Sequence, residues 1–269
     1  MTTPVTVHGD AEVWSEVATV LASLPLSYAH GQGAPGGAAV VSGSTGWPTA
    51  VARALDLGAV AAIVVHPEPA DVDRLRSRGA LTALDTRWAA NPVIESAAAA
   101  FVEALPRASR VESQVHRPVG SSPEAALLEQ LTLVRALLGP VSDARLLTCS
   151  SHGYAAVGLV ADHPVDLSLV CTDAVPESAW VRLLTDDGSV ELMIPSGVTA
   201  QPATLAVTNP EGTRLSPTRY ESGHRATWRR LRALLSSQPT AATPNLATDL
   251  DDFASDGEAA RTAFLLVEG

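Results

Sequence analysis

The sequence predicts a parallel α/β sheet domain followed by a mostly antiparallel, open α+β sheet domain with helices on one face. In roughly the first hundred residues, short apolar runs alternate with helical segments, a pattern typical of a parallel sheet with crossover connections. After residue 118, one long helix precedes several strands with alternating apolar residues. A chain of 269 residues that is 46% hydrophobic can bury one large core or two smaller ones.

The first domain is predicted from apolar runs separated by helix and turn signals. Strands are expected at residues 5–9, 26–29, 38–42, 61–65 and 81–85. Helices are expected at 12–24, after the turn 43–48 through 57, between the fourth and fifth strands, and at 91–105. Gly58 ends the second of these helices. The alternation predicts strands that run in the same direction.

The second domain begins with a helix at residues 123–138, which ends at Gly139. Alternating strands are expected at 154–161, 165–172, 180–185, 189–194 and 204–209. A helix at 220–235 and a Pro-containing linker lead to an Asp-rich helix and an apolar segment at 264–267. We therefore predict one domain at 1–117, joined by segment 240–269, and a second at 118–239.

Composition excludes several classes of function. The net charge of -11 argues against a nucleic-acid partner, because such affinity depends on basic side chains. All 18 basic residues are arginines, which suggests a high-GC coding bias and excludes a Schiff-base or general-acid lysine. Cys149 and Cys171 lack the spacing of a metal or redox motif. With neither a signal peptide nor an apolar span in view, we expect a cytoplasmic protein that binds no metal and no membrane.

The turn after the first strand lacks the usual features of a dinucleotide site. In a G-x-G-x-x-G turn, the second glycine lets the backbone touch the pyrophosphate and the third lets the helix pack on the strand. After Gly9, these two positions hold Ala11 and Trp14. Asp10 and Glu12 add negative charge where a helix N-terminus would bind the pyrophosphate. This turn predicts a chain without a nucleotide cofactor.

Polar and aromatic residues near the ends of elements are candidates for a small-molecule site. His66 and Glu68 follow the fourth strand, where parallel sheets bind ligands, although the neighbouring prolines equally suit a rigid surface turn. Arg87 and Trp88 could hold an anionic or planar ligand, or an interdomain salt bridge. Trp47, in the turn after the third strand, is a further candidate for substrate binding.

The order of elements resembles the Gfo/Idh/MocA oxidoreductase family over essentially the whole chain. The resemblance includes Ala136-Leu137-Leu138-Gly139 at the end of the long helix, the helix end at residues 53–58, the segment 87–92 and the tail from 220 to 250. It implies a Rossmann-like first domain and a second domain whose sheet commonly packs face to face in dimers. A homodimer through the second sheet is therefore expected.

The functional motifs of this family are replaced at the matching positions. The lysine of its Glu-Lys-Pro motif falls on His66, and its substrate-flanking Asp and His fall on Ala125 and Glu129. A later Asp falls on Thr132, and the acid that holds the adenosine ribose has no counterpart near residues 29–31. These departures put NAD binding and hydride transfer in doubt.

Three hypotheses for the function follow. The first is a cofactor-independent, non-redox enzyme that performs an elimination, isomerisation or cyclisation in the interdomain cleft. Glu129 would be its base, with His66, Glu68 or Arg87 as acid or anion anchor; a solvated surface position for Glu129 is the alternative. The second hypothesis is a noncatalytic subunit or binding module. The third is an NAD(P)-dependent oxidoreductase with a remodelled cofactor site.

Overall fold

The computed structural model describes residues 2–8, 17–31, 35–79, 81–197, 201–236 and 246–265. The predictions for Gly9 through Trp14, and for the segments 240–245 and 266–269, lie outside the described residues. The chain forms two compact units. Unit 1 comprises Met1–Ala90 and Gly223–Ala254, and unit 2 comprises Asn91–Ser222 and Ser255–Gly269. The division into domains at residue 117 stays a prediction, since compactness does not test which segments fold together.

The helices of the described segments are α1 (Val17–Ser23), α2 (Trp47–Asp56), α3 (Asp73–Ser77), α4 (Val93–Ala104), α5 (Pro123–Leu138), α6 (Gly223–Ser236) and α7 (Leu246–Leu265). A 3₁₀ turn at Leu105–Arg107 follows α4. The side chain of Ser122 caps α5 by accepting a hydrogen bond from the Ala125 backbone N–H, which satisfies one of the free donors of the first turn.

Unit 1 contains a five-stranded parallel sheet with the order β2-β1-β3-β4-β5. Its strands are β1 (Thr3–His8), β2 (Tyr28–His30), β3 (Ala38–Ser42), β4 (Ala61–Val65) and β5 (Thr82–Asp85). β4 and β5 are buried throughout, which explains their nearly continuous apolar sequences. Because β2 and β3 lie on opposite sides of β1, the strand order reverses at β1. In sheets of this kind, ligands bind beyond the carboxyl ends of the strands at the point of reversal.

The core of unit 1 includes one face of the sheet and two aromatic side chains from distant parts of the chain. Val5, Val40 and Ile63 are fully buried together with Trp228 of α6. The ring of Tyr28 meets that of Trp228 edge-on at 5.0 Å, and the Tyr28 hydroxyl donates to the Trp228 carbonyl at 2.8 Å. These contacts fix α6 against the sheet.

Unit 2 contains an eight-stranded sheet with the order β13-β12-β11-β10-β6-β9-β8-β7. β6 and β9 are parallel and all other neighbours are antiparallel. The strands are β6 (Ala108–Arg117), β7 (Val141–Ser150), β8 (Gly153–Val160), β9 (His163–Cys171), β10 (Ser178–Thr185), β11 (Ser189–Pro195), β12 (Thr204–Asn209) and β13 (Gly212–Leu215). Helices α4 and α5 pack against this sheet. The predicted fold class is confirmed.

The two faces of the large sheet differ in burial. Leu167, Leu169, Val181 and Leu183 are at most 3% exposed and lie among the buried positions that alternate along β9 and β10. Val157 and Leu159, which alternate with buried positions on β8, are only partly buried. Among the described helices, none is long and apolar enough to cross a membrane.

Candidate active site

The loops that follow β3 and β4 are joined by backbone hydrogen bonds at the carboxyl edge of the parallel sheet. The Gly43 N–H donates to the Val65 carbonyl at 2.7 Å, and the Glu68 N–H donates to the Gly43 carbonyl at 2.8 Å. A Cβ atom on Gly43 would lie 2.4 Å from the His66 carbonyl oxygen. Only glycine allows this approach, so residue 43 fixes the path of the chain through His66.

Glu68 is held to the β3 loop by both its backbone and its side chain. The Trp47 indole N–H donates to the Glu68 carbonyl at 2.9 Å, and the Thr45 hydroxyl donates to the Glu68 carboxylate at 3.3 Å. Glu68 itself is exposed. The Trp47 ring is 1% exposed and packs edge-on against Phe253 at 5.7 Å. Trp47 thus anchors the loop in this structure, and its contact with a substrate stays a prediction.

His66 has an unusual backbone conformation for a residue other than glycine. Its φ angle is 50°, in the left-handed region. Its backbone N–H donates to the Asp85 carbonyl at 3.0 Å, which extends the pairing of β4 and β5 by one residue. Left-handed residues cost about 1–3 kcal/mol and persist where their surroundings hold them, often at functional sites. The imidazole is partly exposed.

Asp85 is the last residue of β5, and its side chain contacts residues in the first turns of α6. Its side chain is 3% exposed and contacts the His224 Nδ1 atom. The Thr227 hydroxyl donates to the other carboxylate oxygen at 3.2 Å, and the Trp228 indole N–H donates to His224 Nε2 at 3.3 Å. This cluster leaves no local pattern in the sequence, because His224 is 139 residues away from Asp85. The only local signal was a carboxylate that ends an apolar strand.

Arg87 and Trp88 follow Asp85 in the chain and differ in exposure. Arg87 is partly exposed, as an anion anchor requires. Trp88 is completely buried, and its indole N–H has no hydrogen-bond partner in the described part of the chain. A ring with no exposed face offers no stacking surface in this conformation. The substrate contacts of both residues stay predictions.

Glu129 belongs to unit 2, whereas the other predicted site residues belong to unit 1. Its side chain is 6% exposed on α5, so it is not a solvated surface glutamate. The next residue, Gln130, accepts from the Tyr154 hydroxyl at 2.7 Å and donates to the Ser113 hydroxyl at 3.0 Å. These contacts hold that part of α5 on the sheet. The role of Glu129 in catalysis stays a prediction.

The side chains at this edge include hydroxyl groups. No group of three or more His, Cys, Asp or Glu residues suited to a metal ion occurs within the described ranges. The hydroxyl of Ser42, the last residue of β3, donates to the Ser44 hydroxyl at 3.3 Å. At Gly46, the left-handed residue that begins α2, the space that a Cβ atom would occupy is open.

Comparisons with known proteins identify the fold. No protein-family model and no curated protein sequence matches the chain. A 3-ketoreductase from Actinomadura kijaniata in complex with NADP matches with a TM-score of 0.74 and 14% identity over 98% of both chains. Its open conformation with TDP-benzene and NADP gives a TM-score of 0.71 at 14% identity, again over 98% of both chains. A Thermotoga maritima protein described as an oxidoreductase gives 0.60 at 14% identity, over 93% of this chain and 86% of that one.

The chain therefore has the fold of Gfo/Idh/MocA-type oxidoreductases over nearly its whole length. The comparison contradicts the first functional hypothesis, a cofactor-independent, non-redox enzyme, because the similar structures are of oxidoreductases and include complexes with NADP. It favours the third hypothesis, an NAD(P)-dependent oxidoreductase. The prediction relied on the altered turn at residues 9–14, and a changed motif does not exclude a cofactor held by other contacts.

Proposed function

We propose that this protein is an NADP(H)-dependent oxidoreductase that reduces a carbonyl group of a small molecule. The observation that carries the proposal is the match to a 3-ketoreductase in complex with NADP over 98% of both chains. The carboxyl edge of the unit 1 sheet supports it, since the strand order reverses at β1 and this edge presents partly exposed hydroxyl and imidazole groups.

The β3 loop is the described part of the chain that would hold the nucleotide. Ser42 and Ser44 offer hydroxyl donors, and the open backbone at Gly46 allows a close approach. We propose that these contacts compensate for the Ala11 and Trp14 replacements in a remodelled cofactor site. A reduced nicotinamide nucleotide held there would supply the hydride for reduction of the carbonyl carbon.

His66 is the group that we propose to protonate the carbonyl oxygen. The chain has no lysine, and His66 occupies the position that the family resemblance assigns to a catalytic lysine. An imidazolium can donate a proton near neutral pH and recover it from solvent. Arg87, two residues beyond the end of β5, would bind an anionic group of the substrate, and Glu68 would assist the proton transfer. In this proposal, the acid and the anion anchor follow two adjacent strands, β4 and β5.

The test is a binding and turnover experiment on the full chain. Titrations with NADPH, NADH and ATP as a control nucleotide should show NADPH binding, and saturating NADPH should stabilise the protein by about 2.7 kcal/mol at 100 times its Kd. A panel of keto compounds, including nucleotide-linked keto sugars, should then consume NADPH. If NADPH at about 1 mM neither binds nor raises the melting temperature, the proposal is wrong. A noncatalytic binding module would then be the remaining hypothesis.

A further inference from the structure

Both nitrogen atoms of the His224 ring are engaged within unit 1. The Trp228 indole can only donate, so the His224 Nε2 atom at 3.3 Å must be an acceptor. A neutral ring then carries its proton on Nδ1, which faces the Asp85 carboxylate. Since neither nitrogen is left for a substrate, His224 cannot be the reacting acid or base in this arrangement.

The Asp85 residue connects His224 to His66 through two different groups. Its side chain accepts hydrogen bonds from α6, and its backbone carbonyl accepts from the His66 N–H at 3.0 Å. His66 needs such support because its φ of 50° is costly for a residue with a side chain. On the opposite side, Gly43 contacts the His66 carbonyl. His66 therefore lies between the β3 loop and the end of β5. Residues of α6 hold the end of β5 in place through Asp85.

We propose that the buried Asp85–His224 pair is a positioning device that holds the backbone of His66 in its left-handed conformation and thereby aims the imidazole. Asp85 and His224 are positioning residues, and only His66 reacts. This inference rests on the proposed function for its effect on turnover. Its effect on the conformation of His66 does not depend on that function and can be measured without a substrate.

The experiment compares three variants that alter contacts of α6. His224→Ala removes the donor to Asp85, and His224→Asn replaces Nδ1 by an amide N–H at a similar place. Tyr28→Phe is the matched control, because it deletes the 2.8 Å hydrogen bond from Tyr28 to the Trp228 carbonyl on the same helix. Each variant is measured by amide hydrogen exchange and NMR chemical shifts at His66, and by kcat and KM for NADPH-dependent reduction.

The expected result is specific to His66. His224→Ala should speed exchange of the His66 N–H by about tenfold and shift its resonances. It should lower kcat by about tenfold or more with little change in the KM for NADPH, since misplacement of a catalytic group slows the reacting step. His224→Asn should restore most of both quantities. Tyr28→Phe should lower the melting temperature without moving the His66 signals.

Two results would overturn the proposal. One is an unchanged His66 exchange rate and spectrum in His224→Ala. The other is an equal change in Tyr28→Phe, which would mean that any loosening of α6 has the same effect. If the protein lacks reductase activity altogether, the proposed function fails, whereas the exchange and NMR measurements still decide whether Asp85 and His224 position His66.

Discussion

At the scale of single residues, His66 combines a left-handed backbone with the imidazole that we propose as the proton donor. We expect His66→Gln to lower kcat by about 10²–10⁴, because glutamine keeps polarity but cannot give up a proton. Steady-state reduction assays provide the measurement, with His152→Gln, an exposed histidine of unit 2, as the control. Full activity in His66→Gln together with a large loss in Glu129→Gln would transfer the acid role to Glu129.

The buried carboxyl group of Asp249 should make the free energy of unfolding depend on pH. Burial raises its pKa from the usual 3.8, and the Arg230 guanidinium, which donates to both carboxylate oxygens at 2.7 and 2.6 Å, opposes this. A raised pKa means that the folded state binds the proton of Asp249 more tightly than the unfolded state does. Protonation of Asp249 therefore stabilises the fold fully at pH values below the ordinary pKa, and this contribution declines as pH rises through the pKa of the folded state.

We therefore expect the stability of the natural protein, relative to Asp249→Asn, to fall as pH rises from below the ordinary pKa of 3.8 toward neutral. Urea unfolding of both proteins across this range provides the measurement. A relative stability that increases over the same interval would show that the Arg230 ion pair outweighs the effect of burial.

At the scale of elements, the close contact between the loops after β3 and β4 requires glycine at position 43. Gly43→Ala would place a methyl group 2.4 Å from the His66 carbonyl oxygen, and the loops would have to separate. We expect a loss of about 1–3 kcal/mol in the free energy of unfolding, typical of overpacking. Gly257→Ala is the control, since it lies within α7 with no atom near its Cβ position and should gain about 0.5–1 kcal/mol. Thermal unfolding of both variants distinguishes steric conflict from a general intolerance of alanine.

The elements differ in how well the sequence predicts them, and the reason is burial. β3 and β4 were predicted at their observed bounds because strands buried on both faces have continuous apolar sequences. β6 was missed, since polar residues occupy most of it and only Val111, Ser113 and Val115 are buried. β7 was also not predicted, because it is an edge strand whose pairing with β8 shifts register twice. Contacts over long sequence distance, such as Asp85 with His224, leave no local pattern to detect.

At the scale of the whole molecule, one face of the unit 2 sheet offers a mixed surface for self-association. Strand positions that alternate with the buried ones include Val157, Leu159, Trp180 and Met193, all partly exposed. The Arg182 guanidinium lies 4.7 Å from the Trp180 ring centre and bonds to Glu112 at 2.7 Å. Both charge signs therefore occur on one face, so two copies can pair it around a twofold axis without net repulsion.

We predict that the protein is a homodimer through this face, and that Trp180→Glu converts it to a monomer. Trp180 is central because β10 lies between β11 and β6 in the sheet, and large aromatic side chains at the middle of an interface carry much of its free energy. A glutamate at position 180 would lose the aromatic contact, and its buried carboxylate would lie near the same carboxylate of the second copy. Light scattering at tens of micromolar protein gives the mass, with Leu57→Glu, a 65% exposed position in unit 1, as the control that should stay dimeric. A monomeric natural protein would contradict the prediction, and a dimeric Trp180→Glu variant would mean that another surface forms the interface.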